Sequence, residues 1–154
     1  MDRSLIDQYE GAGEKLRQAI KGLGREDLTA FPVPGTWSIQ QIVIHIMDSD
    51  LIGADRMKRI IAEENPTLVG YDQDKFVANL FYDEQSAAEA VEIFDRNRRL
   101  FARVLRKLPE SVFARKGTHT ERGVVTLEQQ LSGYVQHFEH HLKFIVDKRK
   151  KMGK

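Results

Sequence analysis

Cysteine is absent from the 154 residues. That excludes disulfides, thiolate metal ligands and a cysteine nucleophile, so any thiol chemistry needs a thiol from outside the chain. An excess of charge of one sign is also missing. Lys and Arg total 24 against 23 Asp and Glu, a formal net charge of +1, and so balanced a chain gives no electrostatic case for nucleic acid. No stretch approaches the roughly 20 consecutive apolar residues of a membrane span. The opening Met1-Asp-Arg-Ser-Leu-Ile-Asp7 lacks the apolar core of a secretory signal, and the cytoplasm is the expected compartment. Repeats and low-complexity linkers are missing as well, and the length suits one domain over residues 1–154. Proline is scarce, and Pro32, Pro34, Pro66 and Pro109 all fall at boundaries rather than inside periodic segments.

What fills the chain is helical periodicity. Leu5, Ile6, Tyr9, Ala12, Leu16, Ala19 and Ile20 recur at three-and-four spacing, predicting a first helix over about Arg3–Gly22. A short piece, Glu26–Phe31, leads to the loop Pro32-Val-Pro-Gly-Thr-Trp37. Ser38-Ile-Gln-Gln41 has capping-box spacing and opens a second helix that Asn65-Pro66 stops. Ser86-Ala-Ala-Glu89 opens a third, to about Leu108, with Ala90, Ile93, Phe94, Asn97, Phe101, Val104 and Leu105 expected inward. Thr126-Leu-Glu-Gln129 opens the fourth, to about Lys148.

The expected class is all-α, with no strand anticipated. A helix from Ser38 to Glu64 is about 40 Å long. The linker from Asn65 to Gln85, with a small helical piece at Asp72–Leu80, has the reach to cross that length at roughly 3.3 Å per residue. The second and third helices can then run parallel, in an up-down-down-up four-helix bundle with a long crossover. The linker can alternatively serve as a lid.

Histidines carry the chemistry. His137 and His141 stand at i and i+4 on the fourth helix, one turn apart on one face. At about 100° per residue, His141 falls inside the apolar stripe of Leu127, Leu131, Tyr134, Phe138, Leu142 and Ile145. His137 lies at its edge, and His140 points toward the charged side. His45 sits on the inner side of the second helix, with Ser49 and Gly53 one and two turns on. Those small residues leave either room for a cavity or a close helix contact. Two imidazoles facing a core need partners for their ring nitrogens. Three histidines from two helices form a metal site with open positions, suited to zinc, nickel or iron. The bland alternative is one core histidine and two surface ones. Around them, Asp48 and Gln41 flank His45 by one turn each and are candidates to orient its ring. Asp48 is also a candidate base or fourth ligand. Tyr134 is a candidate donor to a bound oxyanion or else core. Trp37 is expected as a packing anchor that could wall the pocket, Arg56 as a surface residue or else a binder of a substrate carboxylate, His119 as a surface residue, and the Lys148-Arg-Lys-Lys151 run as solvated.

The order Trp37-Ser38-Ile-Gln-Gln-Ile-Val-Ile-His45-Ile-Met-Asp48, then His137-Phe-Glu-His-His141, resembles the DinB/YfiT superfamily. The resemblance spans the whole chain, including the Pro-Gly-Thr-Trp loop and the long crossover. It implies the up-down-down-up bundle and a divalent metal on His45, His137 and His141. It also implies a homodimer and, in some members, use of a low-molecular-weight thiol such as bacillithiol or mycothiol. Two classes of function are therefore expected. One is a metal-dependent enzyme on a small-molecule substrate, a thiol S-transferase or a hydrolase, with Asp48 and Tyr134 as catalytic candidates. The other is a non-catalytic metal-binding or stress-response bundle.

Overall fold

Four long amphipathic helices supply the frame of the computed structural model, which describes all 154 residues. They are α1 (Ser4–Ile20), α3 (Ile39–Ala62), α5 (Ala87–Lys107) and α6 (Leu127–Lys151). Shorter helices α2 (Arg25–Thr29) and α4 (Gln73–Asn79) lie in the connections. The helix starts follow their caps. Ser38 Oγ accepts from the Gln41 amide at 3.1 Å while Gln41 Oε1 accepts from the Ser38 amide at 3.0 Å. Thr126 and Gln129 repeat the arrangement at the head of α6. The Ser86 cap is one-sided: its hydroxyl accepts from the Glu89 amide, and no return bond from the Glu89 side chain forms.

Contacts along the helices set their directions. Arg106 of α5 pairs with Asp7 and Glu10 at the start of α1, and Arg17 near the end of α1 pairs with Glu92, so these two run antiparallel. Gln40 of α3 bonds the carbonyl of Tyr82 just before α5, and Asp50 bonds Asn97 and Arg98, so α3 and α5 run parallel. His45 meets His137 while Gly53 meets Tyr134, so α3 and α6 are antiparallel. Lys15 of α1 reaches Glu139, and Arg149 reaches the Ala19 carbonyl, so α1 and α6 are parallel. The order is up-down-down-up, and the segment holding α4 makes the crossover.

A small sheet is the departure from the expected all-helical chain. β1 (Thr67–Leu68) pairs in parallel with β2 (Lys116–His119), which pairs antiparallel with β3 (Gly123–Thr126). Strands of two to four residues are too short to display an alternation in sequence. Gly123, with φ 73°, turns the hairpin. The sheet closes one end of the bundle and draws the crossover against the segment before α6.

At the centre, Arg98 of α5 ties the four helices together. It is 1% exposed and bonds Asp50 Oδ1 of α3 at 2.7 Å, the Tyr9 carbonyl of α1 and the Tyr134 carbonyl of α6. Its guanidinium lies 4.2 Å from the Tyr9 ring centroid and 4.5 Å from that of Phe94. On α5 the buried stripe is Ala90, Val91, Phe94, Arg98, Phe101, Ala102 and Leu105. Ile93 and Val104, expected inward, are instead exposed, because α5 packs chiefly against α1 and α3 and one narrow stripe serves both. Lys148, expected in solvent, is buried with its ammonium on Thr36 Oγ1, and Arg149 holds the last carbonyls of α1. No helix is long and apolar enough to cross a membrane.

Candidate metal centre

His45 lies midway along the capped N-terminal half of α3, and the antiparallel α6 brings His137 and His141 opposite it. The Nε2 atoms of His45 and His137 are 3.1 Å apart. One ring nitrogen from each of His45, His137 and His141 falls in a set whose members all lie within 4.8 Å of one another, somewhat looser than the 3–4 Å expected for three ligands on one zinc-like ion. His45 and His141 are buried and His137 is half-buried. His140 is exposed and outside the set. Trp37 encloses the cluster, edge-on to His45 at 5.0 Å between centroids and stacked on His141 at 6.3 Å.

The electrostatics favour ligation. Burial lowers the pKa of all three rings from the ordinary 6.5. His45 falls to about 3, with the neighbouring His141 adding to the effect. His137 falls to about 3, with His141 and His45 adding, and His141 to about 4, with His140 adding. The rings are therefore neutral at pH 7 with lone pairs available. Nδ1 of His45 and Nδ1 of His141 are buried and have no hydrogen-bond partner, a costly state for an imidazole that only packs. A cluster of neutral nitrogens with orphaned ring atoms fits a divalent ion of borderline softness.

Two cavities meet at His137. The inner one, about 230 Å³, is lined by Ser49, Arg56, Tyr71, His119, Gln130 and Tyr134 among others. The outer one, about 670 Å³, is lined by Val33, Trp37, His140, His141, Phe144 and Lys148 among others. Along α6, Gln130, Tyr134, His137 and His141 follow at four, three and four residues, so one helical face serves the histidine cluster and the inner cavity.

Other expected site residues are placed as follows. Tyr134 lines the inner cavity, its hydroxyl accepting from Arg56 Nη1 at 3.0 Å. Asp48 lines neither cavity, and its carboxylate accepts from the Tyr82 hydroxyl at 2.7 Å. Gln41 cannot orient His45, because its carbonyl caps Ser38 and its amide donates to Asp83. Ser49 borders the inner cavity, whereas Gly53 makes the close contact: a Cβ there would stand 2.3 Å from the Tyr134 ring. Arg56 and His119, expected at the surface, are buried at 5% and 3% exposure. Their burial follows from the sheet and the crossover, which fold over them and which periodicity did not reveal. Gln130 also lines the inner cavity, and its place one turn before Tyr134 on the histidine face is the signal for it in the sequence.

Comparison with known proteins adds to this geometry. Residues 8–145 match the sequence family described as the DinB superfamily. The "Putative metal-dependent hydrolase YfiT" of Bacillus subtilis is 26% identical over 149 residues, covering 96% of this chain and 84% of that protein. A "Putative metal-dependent hydrolase" of Oceanobacillus iheyensis is 26% identical over 141 residues, covering 91% and 81%. The solved structure of Bacillus subtilis YfiT, described as "a probable metal-dependent hydrolase with an unusual four-helix bundle topology", superposes with a TM-score of 0.92 over 97% of this chain and 86% of that one. A mycothiol-dependent maleylpyruvate isomerase shares the fold at TM-score 0.70 and 9% identity, covering 91% of this chain and 58% of that one.

Proposed function

The chain belongs to the DinB superfamily, and from that membership we propose a metal-dependent hydrolase that holds one divalent ion on His45, His137 and His141. The observation that carries the reading is the convergence of three neutral imidazoles, two with orphaned Nδ1 atoms, where two cavities meet. Zinc and nickel suit an all-nitrogen donor set. Such an ion, when bound, supplies a Lewis acid that polarises a substrate oxygen and lowers the pKa of water.

The chain's own groups do the rest. The depressed histidine pKa values keep the ligating nitrogens unprotonated down to about pH 4. Because the Tyr134 hydroxyl accepts from Arg56, its own proton is free to be donated to an oxyanion in the inner cavity. Trp37 screens His45 and His141 from water. For Asp48 the bond from Tyr82 supports a positioning role, pinning the crossover to α3 beside His45. Two cavities reaching the cluster support turnover of a small molecule over simple sequestration, which needs no access.

Thiol S-transfer is the second reading. A cysteine-free chain must take its thiol from outside, and the outer cavity, at about 670 Å³, has room for a second small molecule beside one in the inner cavity.

The test is elemental analysis of wild type and of His137→Ala, His141→Ala and His140→Ala, with each assayed against esters and amides and for conjugation of low-molecular-weight thiols. Near-stoichiometric metal is expected in wild type and His140→Ala, and loss of metal and activity together in the other two. Full metal content in His141→Ala sinks the site. Thiol conjugation without ester or amide cleavage selects the second reading.

A further inference from the structure

Arg56 is a buried cation without an anion. It is 5% exposed, and a guanidinium does not give up its proton in a protein. Its partners are neutral: Nη1 donates to the Tyr134 hydroxyl, Nη2 donates to the Val69 carbonyl, and Nε has no partner. The other deeply buried arginine shows the usual arrangement, with Asp50 at 2.7 Å from Arg98. A buried charge normally has a counter-charge. No carboxylate of the chain forms an ion pair with Arg56, and the side chain borders a cavity that also reaches His137.

The walls of that cavity are set up to donate. His119 Nδ1 accepts the Glu121 amide N–H at 3.2 Å, so the proton of the neutral ring sits on Nε2. Burial, then the charges of Arg122 and Arg56, push the His119 pKa down and keep the ring neutral. The Tyr134 proton is free, as argued above. Gln130 is 2% exposed, and neither of its amide atoms has a partner. Arg56 and Arg122 face a single lining acid, Glu121, which leaves one net positive charge. One positive charge matches a monoanion.

We propose that the inner cavity is a carboxylate subsite, in which Arg56, helped by His119 and Tyr134, binds a carboxylate group of the substrate and so presents the reacting bond to the histidine cluster. The subsite rests on the hydrolase reading for the word substrate. The substrate class it names is a small carboxylate-bearing ester or amide. With the histidine cluster metal-free, a phosphate dianion would bring more charge than the chain's own lining groups neutralise.

The experiment compares benzoate with benzamide, alike in shape and different in charge, by calorimetry on wild type, Arg56→Gln and His141→Ala. Wild type is expected to bind benzoate about 10- to 100-fold more tightly than benzamide, the range of a charge-assisted hydrogen bond. Arg56→Gln is expected to bring the two within about threefold, with metal content unchanged. His141→Ala is expected to keep the preference. The reverse result, with the preference lost in His141→Ala and kept in Arg56→Gln, places the carboxylate on the metal and overturns the proposal. So does inorganic phosphate displacing benzoate at equal concentration from metal-free His141→Ala. Arg56→Gln can fail to fold, so the wild-type Arg56 Nε–H resonance, identified by its loss in Arg56→Lys, gives a second readout. Saturating benzoate is expected to shift it, and an unmoved resonance overturns the subsite. Binding is read apart from turnover. An intact benzoate preference in a protein that cleaves no ester or amide defeats the hydrolase reading and leaves the carboxylate site standing.

Discussion

Replacing Asp50 by Asn tests the central tie of the bundle. Asp50 and Arg98 are 2% and 1% exposed, joined at 2.7 Å, and Asn97 donates to the second carboxylate oxygen. Burial pushes the Asp50 carboxyl up, against the pull of Arg98 and Asn97. The substitution keeps the shape and removes the negative charge. Arg98 is then left buried with a neutral amide oxygen in place of the carboxylate, two helix carbonyls and the faces of Tyr9 and Phe94 as its partners. Removing one member of a buried pair costs about 3–5 kcal/mol, a large share of the roughly 5–15 kcal/mol that holds a domain together. For a chain of 154 residues that is a fall in Tm of about 10 °C. The double variant Asp50→Leu with Arg98→Met removes both charges, and it should recover at least about 2 kcal/mol relative to Asp50→Asn, since apolar replacements of a whole buried pair are often neutral or better. The assay is urea denaturation followed by circular dichroism, with thermal melts alongside. If Asp50→Asn lies within about 1 kcal/mol of wild type, or the double variant is weaker than Asp50→Asn, the argument from an uncompensated buried charge is wrong.

Acid should weaken the metal-free protein through its histidines. Their folded pKa values, about 3, 3 and 4, lie below the ordinary 6.5. The unfolded chain therefore binds more protons between about pH 6.5 and 4. Stability is whole above that window and falls as pH drops through it, by about 1–2 kcal/mol per pH unit, under a ceiling of about 4 for three fully excluded protons. Urea midpoints at pH 7.5, 6 and 5 measure this, and a flat profile refutes it. Gly53→Ala should destabilise by about 1–3 kcal/mol despite its better helix propensity, because its Cβ would meet the Tyr134 ring at 2.3 Å; an unchanged or higher Tm would show that Tyr134 moves aside freely. Ser38→Ala should cost about 1 kcal/mol through the lost cap of α3, and an unchanged urea midpoint would mean that the Gln41 side chain holds the turn alone.

Local chemistry makes part of this fold legible before any tertiary contact is known. Helix ends were legible at Ser38, Ser86 and Thr126 because a cap is a bond between residues three apart. The pair His137 and His141 was legible because i, i+4 spacing and an apolar stripe orient side chains before any tertiary contact forms, and the family resemblance joined His45 to them. Other features depend on contacts between distant segments. Ile93 and Val104 satisfy the same periodicity as their buried neighbours, and only the placement of α5 between α1 and α3 leaves them outside. Arg98 met Asp50 across helices that no spacing rule connects. The strands at Thr67–Leu68 and Lys116–His119 lie about 50 residues apart and are too short to signal themselves, so their pairing is a feature of the tertiary fold. That pairing buried His119 and closed the cavity over Arg56. A charged side chain in a sequence is read as solvated because burying it alone is costly, and the groups that bond the Arg56 guanidinium come from Val69 and Tyr134, which only the fold brings to it.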